Sequence, residues 1–487
     1  MEVHGLLSVC FLHFILCNFA HSLLVNVHVD VSKPLGKITK NFVGVTMNST
    51  YVKENWKYFN LKSVKTQTLA AGLSPSYLRV GGTDADFVIF TGREVNTDEN
   101  IRKFDPINFT MSETSWDSIH RFTQKVGWTL IFDLNSLYRT DGVWNSSNAE
   151  VLIKYSIKKN YSMAGWELGN EPGEYLRKFG VHLTVQQLVK DYQKLSSILS
   201  QAPPNIRGRI LIGPSTIPLV QSRVVQFFNE FLRLGGNAVV SSPNFHHYYM
   251  DEATASVQNF VDPDVLDGLQ VEINHGNDAT RKFTHGKQLW IGETSSAWNG
   301  GAKGLSDGYV AAFMWLDKLG LAAKNNVGAV IRQTFYGANY GLIDHVTMEP
   351  NPDYWLTYIY KKLVGDYVFQ TDSSDERRRV RFYAHCAAEG FPPGSLAVYG
   401  MNLFSSNVTL KLTGVLDTSQ MKVYLMSAPN QNLQSKLVCL NGDVLKMTAD
   451  DRLPDITPVS MNDSVEMPPY SYVFIILTRA NVNQCTR

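Results

Sequence analysis

Two glutamates stand where a chain could use them as a proton donor and a nucleophile. Trp166-Glu167-Leu168-Gly169-Asn170-Glu171-Pro172 ends a short apolar run, Met163 to Trp166, in an Asn-Glu pair followed by proline. Proline disfavours helical geometry in the residue before it, so Glu171 is expected at the carboxyl end of a strand. Gln288-Leu289-Trp290-Ile291-Gly292-Glu293-Thr294-Ser295-Ser296 repeats the pattern, with small residues after the glutamate that let a ligand approach the backbone. One such glutamate alone reads as a surface turn. Two of them, far apart in the chain, can cooperate only where a closed α/β fold gathers strand ends; in an eight-stranded barrel their gap spans about three βα units. Glycoside hydrolysis needs such a pair, one carboxyl as proton donor and one as nucleophile or base. His246-His247 invites a metal reading, but adjacent strand residues point to opposite faces. No metal and no cofactor is expected. Glu167 is treated as structural.

The elements that must carry this pair are legible as apolar runs with polar or glycine-rich ends. They are 42–46, 77–80, 129–133, 163–168, 210–213, 244–248, 288–292 and 329–332, and eight such runs suit a (β/α)8 barrel. Helical patterns lie between them, the clearest opening at Thr184 and repeating Leu188, Tyr192, Leu195 and Leu199 on one face. An open, doubly wound sheet is the competing fold, but no GxGxxG follows an early strand. After Pro350-Asn351-Pro352 a last helix, 354–363, closes the barrel. Alternating strands follow at 380–385, 396–403, 408–412, 421–426 and 472–478, an antiparallel β-sandwich. Val25, Val27, Val29 and Val31 alternate with polar residues in a further strand that precedes the barrel. Residues 91–115 are the most polar and least periodic stretch, expected as an exposed loop.

A chain of 487 residues, 44% hydrophobic and with formal charge +1, is a globular protein with ample core. Near-neutral charge argues against nucleic acid as a partner. Residues 1–22 read as a secretory signal, an apolar run from Leu6 to Phe19 before Ala20-His21-Ser22, although the n-region holds Glu2 and no lysine or arginine. No other stretch is long and apolar enough to span a membrane. Six Asn-x-Ser/Thr sequons, at Asn48, Asn108, Asn145, Asn160, Asn407 and Asn462, accord with export. Of five cysteines, Cys10 and Cys17 leave with the signal. At most one disulfide and a spare thiol remain, and Cys386 with Cys485 is the favoured pair, leaving Cys439 over. The expected product is a secreted, extracellular or lysosomal monomer. It divides into a signal (1–22), an N-terminal strand (23–36), a catalytic barrel (37–365) and a sandwich (366–487).

An ordered set of segments carries a resemblance. Trp166–Pro172, Ile291–Ser296, FMWLDKLG at 313–320, RQTF at 332–335, PDYWL at 352–356, KLVG at 362–365 and HHYY at 246–249 together resemble the heparanase family of retaining endo-β-glucuronidases. Leech-type hyaluronidases belong to the same family. The likeness runs from about Leu23 to Cys485. It implies a β/α barrel with a C-terminal β-sandwich that takes in the Val25–Val31 strand. Glu171 matches the family's acid/base, and Glu293 its nucleophile. Asn170 matches the residue that binds the sugar 2-hydroxyl, and Tyr248 a tyrosine beside the nucleophile. His246, Thr83, Gln333, Tyr340 and the backbone of Gly300 match substrate-binding positions.

Several departures bear on substrate. Asn48 stands where the family's early barrel loop carries an aspartate, so one charge facing the substrate is lost. The linker removed by proteolysis in vertebrate heparanases shrinks to roughly residues 92–114, so the intact chain is expected to be active without internal excision. Basic clusters are thin: Arg102-Lys103, and Arg377-Arg378-Arg379, the latter most simply a solvated turn. The loop before Tyr340 is one residue short. Glu171 must be protonated at rest and Glu293 ionised, so the Glu171 pKa is expected to be raised by burial and by the charge of Glu293. The resemblance implies a glycosaminoglycan partner, heparan sulfate first and hyaluronan second. A catalytically silent, heparin-binding relative and an exo-acting glucuronidase are the competing functions.

Overall fold

The computed structural model describes residues 22–53, 55–91, 109–414 and 417–486. Most of the segment expected as a signal, Asn108 and Arg102-Lys103 lie outside them. An N-terminal strand, β1 (Leu23–Asp30), comes first. The barrel strands follow: β2 (Val43–Asn48), β3 (Ser76–Gly81), β4 (Trp128–Leu134), β5 (Met163–Leu168), β6 (Ile210–Thr216), β7 (Ser242–His247), β8 (Trp290–Thr294) and β9 (Ala329–Arg332). All eight coincide with the apolar runs read from the sequence. Each pairs in parallel with its neighbour and β9 returns to β2, closing a barrel. Helices on the outside turn one face inward. Val185–Ser200, capped by the Thr184 hydroxyl, buries Leu188, Tyr192, Leu195 and Leu199 as its spacing requires.

Helix Pro352–Leu363 runs without a linker into β10 (Val364–Ser373), a strand that the alternation pattern does not mark. The strands β11 (Val380–Ala387), β12 (Leu396–Asn402), β13 (Val408–Thr413), β14 (Met421–Ser427) and β15 (Ser471–Leu477) complete the main part of the sandwich. β1 lies between β10, antiparallel to it, and β13, with which it pairs in parallel. Its alternation is explained by that position: Val25, Val27 and Val29 face a sandwich core shared with Phe382, Val398, Leu410 and Ile475. The other face of the same sheet packs on the barrel. Tyr383 lies so close to helix Ala311–Lys324 that a Cβ on Gly320 would stand 2.2 Å from its ring. Tyr383 also donates to Asp317 at 2.6 Å. Strands buried on both faces read as continuous apolar runs, and all of β15 is buried.

Two expectations need correction. Residues 109–115 are no loop: Phe109–Met111 forms a strand beside Val88–Phe90, and a helix begins at Glu113. Arg377–Arg379 is not simply solvated. Arg378 pairs with Asp264 and Asp267 on the barrel helix Pro263–Phe283, while Arg377 and Arg379 lie over the Phe404 ring.

Cys386 and Cys485 form a disulfide across a separation of 99 residues, and Cys439 is a buried free thiol. In the chain-entropy picture a loop of that length is worth about 4–5 kcal/mol. Replacing both cysteines by serine should lower the urea unfolding free energy by an amount of that order. An unchanged urea midpoint would show that the bridge constrains nothing in the unfolded chain. Among the described residues, no helix is long and apolar enough to cross a membrane.

Candidate active site

Every barrel strand delivers a side chain to the same end. Asn48 is the last residue of β2, Arg79 lies in β3, Asp133 in β4 and Glu167 in β5. Ser215 lies in β6, His246 in β7 and Glu293 in β8, and Gln333 follows β9. This is the C-terminal rim, where barrels place their chemistry. Glu171 stands just beyond the end of β5. Pro172 opens a single 3-10 turn, and Glu171 before it adopts the left-handed region at φ 55°. Its N–H is held by the carbonyl of Ser215 at 3.1 Å.

The two glutamates face each other. One oxygen of Glu171, one of Glu293 and a ring nitrogen of His246 lie within 4.8 Å of one another. Glu293 accepts from Arg79 Nη1 at 2.9 Å and from the Tyr248 hydroxyl at 2.7 Å, each on a different oxygen. Glu171 Oε1 lies 3.1 Å from His246 Nδ1, and Oε2 accepts from Lys178 Nζ at 2.6 Å. A ring nitrogen that close to an ionised carboxylate must be the donor. Burial would raise the Glu171 pKa, but the His246 contact and the Lys178 ammonium outweigh it and hold the carboxyl at about 2. The expectation of a raised pKa is therefore overturned. The charge of Glu293 is compensated by Arg79 and Tyr248, whereas Glu171 has a cation of its own.

Beneath the pair lies a buried charge array that the motifs alone do not assemble. Arg79, fully buried, donates through Nε to Glu167 at 2.6 Å and through Nη2 to Asn170 Oδ1 at 3.1 Å. Asp133 lies 3.6 Å from the same Nη2. The guanidinium lies against the bare Cα of Gly81, where a Cβ would come within 2.8 Å of its central carbon. One cation cannot neutralise three carboxylates. Burial and the charge of Glu167 push Asp133 well above the usual carboxylate range, against the pull of Arg79. Asp86 ties the catalytic turn to two other loops, accepting from the Asn170 N–H at 3.1 Å and the Tyr175 hydroxyl at 2.6 Å. Burial lifts Asp86 to about 7, and likewise Glu272 to about 8. The signal that was available was a lone charge inside each of three apolar strands: Leu78-Arg79-Val80, Phe132-Asp133-Leu134 and Trp166-Glu167-Leu168. A buried cation demands a buried partner. Lys178 carried no such signal.

These raised carboxyls fix a pH dependence of stability. A carboxyl whose folded pKa exceeds its unfolded value contributes stability that is present below the unfolded pKa and is lost as pH rises through the folded one. Asp86 and Glu272 therefore make the fold weaker between about pH 4 and pH 8, with a slope of up to about 1.4 kcal/mol per pH unit for each. Urea midpoints should fall over that range, and Asp86→Asn should flatten the fall. An unaltered slope would mean that Asp86 is ionised throughout.

The remaining candidates take their places around this centre. Tyr340 lies beside Tyr248, ring centroids 6.3 Å apart, and its N–H and that of Asn339 donate to the Gly300 carbonyl. The Gln333 N–H is bonded to Thr294 O, which holds the residue beside β8. Thr83 is exposed at the start of a 3-10 turn, and the Asn48 amide lies beside Gly82, which precedes it. The Asn48 oxygen accepts from the Thr50 N–H and hydroxyl. His246 and His247 do face opposite ways: His247 Nε2 points back to Glu272 at 3.8 Å. Glu171, His246 and Glu293 have the spacing of metal ligands, but their inward atoms already serve one another, Arg79 and Tyr248.

Residues 25–320 match the family model described as glycosyl hydrolase family 79, N-terminal domain. The chain is 34% identical to mouse heparanase, over 95% of this chain and 94% of that protein. It is 33% identical to the hyaluronoglucuronidase of Hirudo nipponia, over 95% and 99% respectively. A 4-O-α-L-rhamnosyl-β-D-glucuronidase from Fusarium oxysporum shares the fold with TM-score 0.70 at 17% identity, covering 93% of this chain and 100% of that one.

Proposed function

The chain belongs to glycosyl hydrolase family 79, and we propose that this glycoside hydrolase is a secreted, retaining endo-β-glucuronidase of glycosaminoglycans. The observation that carries the mechanism is the approach of Glu171 and Glu293 within 4.8 Å. Retaining enzymes hold their carboxyl groups about 5–5.5 Å apart, whereas inverting ones leave about 6.5–9.5 Å for a water. Glu293, held by Arg79 and Tyr248, attacks the anomeric carbon of a glucuronate. Glu171 gives its proton to the leaving oxygen as the glycosidic bond breaks. A water then loses a proton to Glu171 and attacks the same carbon, which releases Glu293 and the product. Asn170, with its oxygen turned to Arg79, offers its amide N–H groups to the sugar 2-hydroxyl.

Heparan sulfate is the substrate that the likeness to heparanase favours. Hyaluronan is the second reading, and a specific observation supports it. Among the described residues, Lys178 pairs with Glu171, Arg177 and Arg223 share Glu174, and Arg139 pairs with Asp191. Four cations on three carboxylates leave a single charge over for sulfate. Endo-cleavage of heparan sulfate, hyaluronan and an aryl glucuronide, each across a salt series, tests both. Cleavage should persist well above physiological ionic strength, because these cations are already held by carboxylates and carry only one charge in excess to be screened. A steep collapse on heparan sulfate would reveal a basic patch, and cutting of hyaluronan alone would decide for the second reading. Binding without any cleavage would leave a lectin-like protein.

A further inference from the structure

Proton donation by Glu171 requires a proton on that residue, and the resting geometry sets an ammonium against it. His246 Nδ1 faces one carboxyl oxygen at 3.1 Å and Lys178 Nζ faces the other at 2.6 Å. The imidazole nitrogen can donate or accept according to its tautomer, but an ammonium can only donate, so the Lys178 contact is the one that favours the ionised carboxylate and opposes a proton on Glu171. His246 is fully buried in β7. Lys178 is the movable one. It extends from the short helix Tyr175–Phe179, and its side chain keeps 23% of its exposure. Glu174, on the same turn, already accepts from Arg177 Nε at 2.7 Å and Arg223 Nη1 at 2.6 Å, and Asp86, which also feels the Lys178 charge, is buried under Tyr175. That arrangement directs Lys178 onto Glu171.

The other charged groups facing Glu171 do not undo this. Glu293 on β8 is bound by Arg79 from β3 and by Tyr248, which follows β7. Asp86, beneath the Asn170 N–H, shares its hydrogen-bonding with Tyr175 and has its pKa lifted by burial. The substrate class proposed above brings what the pair is sensitive to, a polymer with a carboxylate on every disaccharide and in some cases sulfates. An anion arriving beside the acid competes for the same ammonium.

We infer that Lys178 is a latch on the acid, holding Glu171 ionised in the free enzyme and leaving it for an anionic group of the bound substrate, whereupon Glu171 takes one proton from solvent and becomes competent to donate it. Substrate binding is thus coupled to uptake of one proton, and the enzyme arms its acid only when a polyanion is in the cleft. Lys178 acts here through Glu171, as a positioning residue, and the inference rests on the assignment of Glu171 as acid/base.

The pH profiles of kcat and kcat/KM separate the two states, since kcat/KM reports the free enzyme and kcat the complex. In the wild type the alkaline limb of kcat/KM should lie at least about one pH unit below that of kcat, a tenfold difference in the armed fraction. In Lys178→Met the kcat/KM limb should rise to meet the kcat limb, which stays where it was. Lys178→Arg keeps the charge and should keep the wild-type separation, which guards against a fold defect in the first variant. Coincident limbs in the wild type, or limbs that Lys178→Met does not move, overturn the latch. So does a loss of kcat with both limbs fixed, the mark of a simple substrate contact. Running the profiles on an aryl glucuronide, on hyaluronan and on heparan sulfate identifies the anion. Separation on all three assigns it to the glucuronate carboxylate, and separation on heparan sulfate alone assigns it to sulfate. A wild type inactive on all three would instead defeat the assignment of function, and the latch with it.

Discussion

Glu293→Gln and Glu171→Gln should each lower the cleavage of polymer by at least about 10²-fold, since a general acid alone contributes roughly 10²–10⁴-fold. The two losses should differ in kind. On an aryl glucuronide whose phenol leaves without a proton, Glu171→Gln should regain the first step and accumulate glycosyl-enzyme, because the proton it can no longer give is not required. Glu293→Gln should regain nothing, having no atom with which to form the intermediate. Both substituted side chains stay uncharged where the originals faced a donor, Lys178 for one and Arg79 for the other. Circular dichroism and gel filtration should therefore show folded protein in each. More than about a tenth of wild-type activity in either variant would remove that residue from the role given to it.

The second large effect is on stability. Arg79→Met should destabilise the fold by about 3–5 kcal/mol, the usual cost of leaving buried carboxylates without their cation. Glu167 and Glu293 each accept from that guanidinium at 2.9 Å or less, and Asp133 and Asn170 face its other nitrogen. Arg79→Lys keeps the charge but loses the planar fork, and no ammonium can reach Glu167, Glu293 and Asn170 in those directions at once. It should recover only part of the loss. Arg378→Ala is the comparison. Arg378 is half exposed and paired with Asp264 and Asp267 in solvent, so its loss should cost far less than that of Arg79. Urea denaturation of the three variants measures the ranking, and an Arg79→Met protein as stable as Arg378→Ala would mean that the carboxylates around Arg79 are neutral together.

Much of the architecture could be read from local pattern. The barrel strands announced themselves because each is buried on both sides and stops at a polar rim, and β1 because one face only is buried. What could not be read was set by contacts far apart in sequence. β10 starts at the residue after a helix ends, so no turn residue separates the two. Arg378 looked solvated because its partners, Asp264 and Asp267, belong to a helix more than a hundred residues earlier. The positions of Glu171 and Glu293 were legible from strand endings; the charge state of Glu171 was not. It depends on which carboxylate Lys178 reaches, and that is decided by the two arginines that occupy Glu174.

The position of β1 has a consequence for the order of events during synthesis. Val25 pairs with Leu410 and Val27 with Ser373, so this strand is made before the barrel and matched only after it. At about 5–20 residues per second, roughly 20–80 s pass between the emergence of Val25 and that of its partner in β13. All eight barrel strands leave the ribosome in that interval, and the barrel can close while Val25, Val27 and Val29 are still an unpaired apolar edge. The sheet that takes in this strand can therefore be completed only after the barrel it packs against has been made.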